Sequence, residues 1–105
     1  MTEKQLEKAI REKATALGYL TYKFTSPSNA GVPDRIFINK HGYIFFIEFK
    51  SKTGKLTSLQ KKVHEDFGNR RVSVHVIDDF IIGVRLLKVL ENKRYITLTN
   101  NVQRI

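Results

Sequence analysis

Two charged residues interrupt the most apolar stretch of this 105-residue chain, and their spacing suggests chemistry. Glu48 and Lys50 follow the run Tyr43-Ile44-Phe45-Phe46-Ile47, which is typical of a strand covered on both faces. Because they are two residues apart, their side chains project from the same face. A buried ion pair between them would often fail to offset the desolvation of both charges. A divalent cation at the mouth of a cleft would compensate Glu48 better.

Asp34 is the second acidic residue with this potential. It directly follows Pro33, whose ring fixes φ and stiffens the entry to a strand. If a hairpin turns around His41, residue 34 lies opposite residue 48, and opposite residues share a face with Cβ atoms about 4.5–5.5 Å apart. Two carboxylates this close repel unless a cation lies between them. Their hard oxygens suit Mg²⁺ or Mn²⁺, with water completing the octahedron.

This constellation predicts hydrolysis of a phosphodiester. A metal ion held by Asp34 and Glu48, with the backbone carbonyl of Phe49 as a further ligand, would lower the pKa of a bound water and neutralise phosphate charge. Lys50 is placed to orient that water or to stabilise the pentavalent transition state. The alternative for Asp34 is a turn carboxylate that caps the hairpin, and for Glu48 and Lys50 a solvated strand face.

The charge of the chain indicates a polyanionic partner, with nucleic acid as the leading candidate. Nineteen Lys and Arg against ten Asp and Glu give a net charge of +9, and residues 49–64 contain no acid. We expect a one-signed cluster of this kind to contact phosphates without reading bases. An ordinary solvated helix face is the alternative for these lysines. The predicted nucleic-acid contacts are Lys23, Arg35, Lys52, Lys55, Lys61 and Lys62.

Several functional classes are disfavoured by what the sequence lacks. Without cysteine there is no disulfide framework, thiolate metal site or cysteine nucleophile, so a reducing, cytoplasmic setting is expected. The three histidines show no i, i+4 pairing with one another of the kind that binds zinc. No apolar stretch approaches the roughly 20 residues that span a bilayer, so we expect no membrane association.

Helices and strands must place these side chains, and the pattern predicts the order α-β-β-β-α-β-α. That order is typical of one α/β domain over residues 1–105, with a mixed central sheet flanked by helices. The last two strands, joined through a helix, should be parallel. The third helix is apolar on more than one stripe, which suggests a covered helix and a subunit interface. The predicted helices are Thr2–Leu17, Thr57–Phe67 and a third from Asp78 or Asp79 to about Asn92; the strands are Tyr19–Phe24, Asp34–Asn39, Tyr43–Lys50 and Val72–Ile77, with the tail from Arg94 to Ile105 a candidate edge strand.

These residues together resemble a known family. Gly31-Val32-Pro33-Asp34-Arg35 followed by Ile47-Glu48-Phe49-Lys50 is similar to the PD-(D/E)xK nuclease signature, and more closely to the virus-type replication-repair nuclease (VRR-NUC) domain. The Tyr22-Lys23-Phe24 phrase, the Gly54-Lys55-Leu56 loop and Gln60 extend the likeness over about residues 3–80. The resemblance implies a restriction-endonuclease-like core and Mg²⁺- or Mn²⁺-dependent hydrolysis of DNA.

The resemblance also implies further site residues and a mode of action. Gln60 would belong to the site, although a glutamine on a helix is usually just surface. An additional glutamate is expected from the first helix, where Glu7 fits and Glu3 is the competitor. Free-standing members of this size resemble phage proteins that cut four-way (Holliday) junctions as homodimers, which would place the chain in the cytoplasm of a bacterial host.

Two other functions stay open at this stage. One is a non-catalytic nucleic-acid-binding module on a nuclease-like scaffold, because a fold does not by itself imply an activity. The other is restriction of foreign DNA, which predicts sequence-specific cuts in linear duplex. The charges kept at residues 34, 48 and 50 favour an active nuclease.

Overall fold

Three helices and four strands follow one another in the computed structural model, which describes residues 1–95. The order is α-β-β-β-α-β-α, as the sequence pattern predicts. The candidate edge strand in the tail falls mostly on residues 96–105, outside the described range. The elements are α1 (Glu3–Ala16), β1 (Leu20–Lys23), β2 (Arg35–Ile38), β3 (Ile44–Phe49), α2 (Ser58–Asn69), β4 (Val74–Ile77) and α3 (Phe80–Leu90).

The strands form one mixed sheet in the order β1-β2-β3-β4. β2 pairs antiparallel with both β1 and β3, whereas β3 and β4 are parallel and joined through α2. Both the mixed α/β fold and the parallel pairing of the last two strands are therefore confirmed. Arg35 pairs with Ile47 across β2 and β3, and the same register extended by one residue puts Asp34 opposite Glu48.

Side chains that cap the helices fix where each one begins. Thr2 caps α1 and Thr57 caps α2, each in a reciprocal capping box with the glutamine three residues later. Of the two candidate caps for α3, Asp79 is the one used, because its carboxylate accepts from the Ile82 amide at 3.0 Å. Caps of this kind stabilise a helix by about 1 kcal/mol each. No helix within residues 1–95 has the length and apolar character needed to cross a bilayer.

The two faces of the sheet carry different helices. α1 and α3 cover one face, where apolar side chains form the main core with Leu6 and Ile10 of α1 and Leu87 of α3. α2 covers the other face, where Phe67 packs edge-on against Phe46 at 5.2 Å between ring centroids. Since neighbouring residues of a strand point to opposite faces, Glu48 shares the α2 face with Phe46. The β3 side chains on the core face are Phe45, Ile47 and Phe49.

Buried polar groups attach α3 to the rest of the core. The Tyr19 hydroxyl donates to the carbonyl of Leu87 at 2.6 Å. The Asn39 amide donates to the carbonyls of Leu90 and Lys93 at 2.8 and 2.7 Å, while its oxygen accepts two amides of the hairpin turn. The polar groups of Tyr19 and Asn39 thus have partners, which fixes the position of α3 relative to the sheet.

Gly83 lets α3 approach α1 closely. This close approach predicts whether a substitution at Gly83 raises or lowers the stability of the protein. A Cβ at Gly83 would lie 2.5 Å from Cδ1 and 3.1 Å from Cγ1 of Ile10, which is fully buried, and 3.2 Å from Cγ2 of Ile77. We therefore expect Gly83→Ala to destabilise the protein by about 1 kcal/mol or more, since overpacking outweighs the helix propensity of alanine. Gly68→Ala in α2, where a Cβ meets nothing within 4 Å, is the matched control and should leave stability unchanged or raised. Equal effects of the two substitutions in thermal unfolding would contradict this packing.

Candidate active site

Asp34 is held at the start of β2 by bonds to both neighbouring strands. Its backbone carbonyl accepts from the Phe24 amide at 2.8 Å, and its carboxylate Oδ2 accepts from the Phe49 amide at 2.8 Å. The side chain therefore crosses from β2 towards β3, on the face that carries Glu48. The Phe49 amide is thereby engaged with Asp34, and the role expected for the Phe49 carbonyl as a metal ligand stays a prediction.

Glu48 is a buried carboxylate with an incomplete set of partners. Its side chain is 2% exposed, Oε2 accepts from the Gln60 amide at 3.3 Å, and Oε1 has no hydrogen-bond partner within residues 1–95. Burial first, and then the negative charge of Asp34, raise the pKa of Glu48 to about 8, with the Lys50 charge acting in the opposite direction. A positive charge placed beside Glu48 would therefore stabilise its ionised carboxylate.

Lys50 lies where the chain leaves the sheet. Its backbone amide still donates to the carbonyl of Ile77 at 3.0 Å, so the residue is anchored to β4 immediately after the end of β3. Its side chain is half-buried, and its charge acts on the pKa of both Glu48 and His64. The structure thus brings the Lys50 ammonium group into the same neighbourhood as the two carboxylates.

Gln60 joins the cap of α2 to the acidic pair. Its Oε1 accepts from the Thr57 amide at 2.9 Å in the capping box, while its Nε2 donates to Glu48. Both ends of the amide are used, so the orientation of its oxygen and nitrogen is fixed. The structure therefore brings Gln60 to the site, as the sequence analysis anticipates.

His64 is a residue of this site that the sequence analysis misses. Its Nε2 lies 3.6 Å from Oε1 of Glu48, and neither atom has a hydrogen-bond partner in the described part of the chain. Burial lowers the pKa of the imidazole, which favours its neutral form. The available signal was its position four residues after Gln60, which places both side chains on one face of α2.

Arg35 and Glu7 lie together on the side of the sheet that α1 covers. Arg35 is buried, and its guanidinium donates to the Glu7 carboxylate and to the Thr21 hydroxyl, both at 3.2 Å. As the neighbour of Asp34 in an extended chain, it points to the face of the sheet opposite to Asp34. The expected contact of Arg35 with phosphate, and the expected place of Glu7 or of its competitor Glu3 in the site, stay predictions.

The lysines expected to contact phosphate fall into two groups. Lys52 lies 3.1 Å from Asp79 and 3.7 Å from Asp78, and Lys62 lies 2.8 Å from Asp66, so these two form surface ion pairs. The other three are exposed and make no ion pair within residues 1–95; they are Lys23, Lys55 and Lys61. Contact of any of them with nucleic acid stays a prediction.

The carboxylate pair fits a hard divalent cation. In the described part of the chain no three His, Asp or Glu side chains come together as a metal-binding group. Mg²⁺ commonly uses one or two carboxylates and keeps several waters. Asp34 and Glu48 supply that number, and the unpartnered Oε1 of Glu48 offers a free oxygen.

Replacing Glu48 by glutamine should stabilise the metal-free protein. Because the folded-state pKa is about 8 against an ordinary 4.5, the unfolded chain loses the proton first, and wild-type stability falls as the pH rises from 4.5 to 8. Glu48→Gln removes this titration. Its free energy of unfolding in EDTA should exceed that of the wild type at pH 8 by more than about 1.4 kcal/mol, the equivalent of one pKa unit.

The advantage of Glu48→Gln should shrink as the pH falls to 4.5 and below, where Glu48 becomes protonated in both the folded and the unfolded wild type. Mn²⁺ should raise the melting temperature of the wild type alone, since it binds the folded state through both carboxylates. Chemical denaturation at several pH values measures the first effect and thermal melts measure the second. A less stable Glu48→Gln variant at pH 8 would show that the carboxylate is well compensated without a cation.

Comparison with known proteins places this geometry in a family. No protein-family model matches the chain. A protein of Acyrthosiphon pisum secondary endosymbiont phage 1, named "Putative nuclease p44", is 37% identical over 62 residues, which make up 59% of this chain and 67% of that protein. A solved structure described as "VRR_NUC domain" is similar with a TM-score of 0.76 and 30% identity, covering 84% of this chain and 97% of its own. The chain therefore belongs to the VRR-NUC family of nuclease domains.

Proposed function

We propose that this VRR-NUC chain is a metal-dependent endonuclease that hydrolyses phosphodiester bonds in branched DNA, including four-way junctions. The observation that carries the proposal is the pairing of Asp34 and Glu48 across β2 and β3, with Lys50 beside them. We further propose that residues 1–105 form one domain, that it acts as a homodimer, and that it works in the cytoplasm of a bacterial host. The phage origin of the relative supports that setting.

The site residues would divide the work as follows. Bound Mg²⁺ or Mn²⁺ would supply positive charge at the scissile phosphate and acidify a water molecule. Asp34 and Glu48 would hold the cation, while the Phe49 amide and the Gln60 amide fix one oxygen of each carboxylate. Lys50 would donate to a phosphate oxygen as negative charge develops there. Glu7, or its competitor Glu3, would supply the additional acid of α1.

His64 would act as a positioning residue for Glu48. Its Nε2 lies near Oε1, the oxygen without a hydrogen-bond partner, whereas Gln60 donates to Oε2. Side chains of α2 therefore lie next to both oxygens of the Glu48 carboxylate. At 3.6 Å, Nε2 of His64 and Oε1 are not hydrogen-bonded, and a small movement of the side chains would let an Nε2–H donor bond Oε1 and restrict rotation of the carboxylate. Restriction of this kind preorganises a metal ligand, and its loss typically lowers metal affinity 10- to 100-fold.

The role of His64 can be separated from a purely structural one by comparing two substitutions. We expect His64→Leu to weaken Mn²⁺ binding by about 10- to 100-fold and to require correspondingly more Mg²⁺ for half-maximal activity. His64→Gln keeps an amide donor and should bind Mn²⁺ close to the wild-type affinity. Isothermal titration calorimetry measures the affinities. Wild-type Mn²⁺ affinity in a folded His64→Leu protein would exclude the positioning role.

Homodimer formation is supported by the surface of α3. Gly83 and Leu87 are buried against the core, whereas Ile81, Ile82 and Val89 are each more than half exposed. Three exposed aliphatic side chains on one helix are typical of a face that packs against another chain. A two-fold axis would place two sites symmetrically, as paired nicks across a junction require. A monomer by light scattering at micromolar concentration would argue against this assembly.

Cleavage of a synthetic four-way junction tests the proposed activity. The wild-type protein should nick the junction with Mg²⁺ or Mn²⁺ and not in EDTA. Asp34→Asn and Lys50→Ala should bind the junction with similar affinity but cut it at least about 10²-fold more slowly, because they remove a metal ligand and a charge-stabilising donor. Lys40→Ala, at an exposed lysine of the β2–β3 turn, is the matched control and should cut normally.

The pattern of products distinguishes the alternatives. Equal cutting by Asp34→Asn and the wild type would remove the proposed site. Binding without metal-dependent cleavage of junctions, flaps, nicked or linear duplexes would favour a non-catalytic module. Cuts at defined sequences in linear duplex would instead indicate restriction of foreign DNA.

A further inference from the structure

A second cluster of charge lies near the candidate active site, on α1 and at the end of β1. α1 and the end of β1 form an open groove of about 240 Å³. Four of its five lining side chains are cations, and none of the four makes an ion pair within residues 1–95. The acid among them, Glu7, is engaged with Arg35. The lining residues are Lys4, Glu7, Lys8, Arg11 and Lys23.

Three of these cations lie on one face of α1. Lys4, Lys8 and Arg11 are four and three residues apart, so their like charges are neighbours on the surface of the helix. Lys4 is also in the first turn, where the helix dipole disfavours positive charge. Lys23 approaches the same groove from a different element, β1. The cluster is therefore assembled by the tertiary fold, which a simple solvated helix face would not require.

The groove is continuous with the candidate active site. Lys23 also lines the neighbouring groove, which is formed by the β1–β2 loop and contains Asp34. A chain of negative charges lying along α1 and past Lys23 would thus run on towards Asp34.

The dimensions of the groove match a single DNA strand. Lys4 and Arg11 are seven residues apart, which at 1.5 Å per residue corresponds to about 10 Å along the helix. A strand of duplex DNA presents one phosphate per 3.4 Å of axis, so this length corresponds to about three phosphates. Lys23 would add one more contact near Asp34.

We propose that this basic groove, formed by Lys4, Lys8, Arg11 and Lys23, binds consecutive backbone phosphates of one DNA strand and leads that strand to Asp34 and Glu48. The proposal rests on the nuclease function proposed above and deepens it. It moves the main phosphate contacts from the 50–62 segment to α1, since Lys52 and Lys62 already bind carboxylates. Contacts to phosphate carry no base information, so the groove contributes affinity without sequence preference.

Salt-dependent DNA binding in EDTA tests the groove separately from catalysis. The double variant Lys8→Gln/Arg11→Gln removes two charges that line the groove. The probe is a fluorescein-labelled four-way junction followed by anisotropy between 50 and 200 mM NaCl, where phosphate contacts dominate the affinity. We expect the slope of log K against log salt to become shallower by about 1.8, since each phosphate contact contributes about 0.9. The affinity at 100 mM salt should fall on the order of 50-fold.

The matched control also removes one lysine and one arginine charge, but at the other end of the sheet. Lys40 lies in the β2–β3 turn and Arg71 just before β4, and both are exposed. Lys40→Gln/Arg71→Gln should therefore change affinity and slope far less than the groove variant. In the cleavage assay the groove variant should raise KM and leave kcat nearly unchanged, because its residues do not touch the reacting atoms.

Two results would overturn the proposal. One is an equal loss of affinity in the groove and control variants, which would show that only net charge matters. The other is wild-type affinity and slope in the groove variant together with a loss in Lys55→Gln/Lys61→Gln, which would place the strand across the 50–62 segment. Failure of the proposed function has a different signature, namely normal salt-dependent binding by the wild type without cleavage in Mg²⁺ or Mn²⁺.

Discussion

Repulsion between the carboxylates of Asp34 and Glu48 is the interaction that the rest of the structure is arranged around. Pairing of β2 with β3 places the two residues opposite each other, and burial deprives Glu48 of the water that would otherwise screen its charge. The pKa of Glu48 rises to about 8 as a result. A pair of this kind opposes folding unless a cation joins it, and this is the physical basis of the metal binding proposed above.

The two faces of the sheet have separate tasks. On one face α1 and α3 pack around Phe37, Phe45 and Ile47 and supply most of the buried apolar surface. On the other face α2 carries Gln60 and His64 to the two oxygens of Glu48. Because Gln60 is also part of the capping box of α2, the start of that helix and the orientation of the carboxylate are fixed by the same side chain. A core on one face thus leaves the other free for chemistry.

Much of this arrangement can be read from the sequence, because it depends on local pattern. The apolar run before Glu48 identifies the central strand, and hairpin symmetry about residue 41 gives the register that brings Asp34 opposite Glu48. The opposite orientation of Arg35 was also available, since neighbouring residues in a strand point to different faces. The burial of Arg35 against Glu7 could not be predicted from the sequence, because the apolar pattern of a helix does not identify the residues of a sheet that the helix will contact.

The other site contacts that the sequence pattern did not predict are of two kinds. Some depend on tertiary contacts, and others follow from local spacings along a helix. Lys52 is paired with acids near the start of α3, which only the fold brings near the loop after β3. The Lys62 and Asp66 pair, four residues apart, could have been read from the sequence. His64 was overlooked because the histidines were compared with one another, whereas its relevant neighbour on α2 is Gln60. Lys4, Lys8 and Arg11 resemble an ordinary solvated stripe until Lys23 is placed beside them.

Direct observation of a cation between the two carboxylates is the most decisive measurement. Crystals of the protein grown with Mn²⁺ and measured near the manganese absorption edge would locate the ion by its anomalous scattering. We expect one strong peak about 2.1 Å from a carboxylate oxygen of Asp34 and from one of Glu48, a typical distance for a small hard cation. Mn²⁺ bound elsewhere on the chain, with these two carboxylates left in contact with each other, would contradict the assignment of this pair as the metal-binding core.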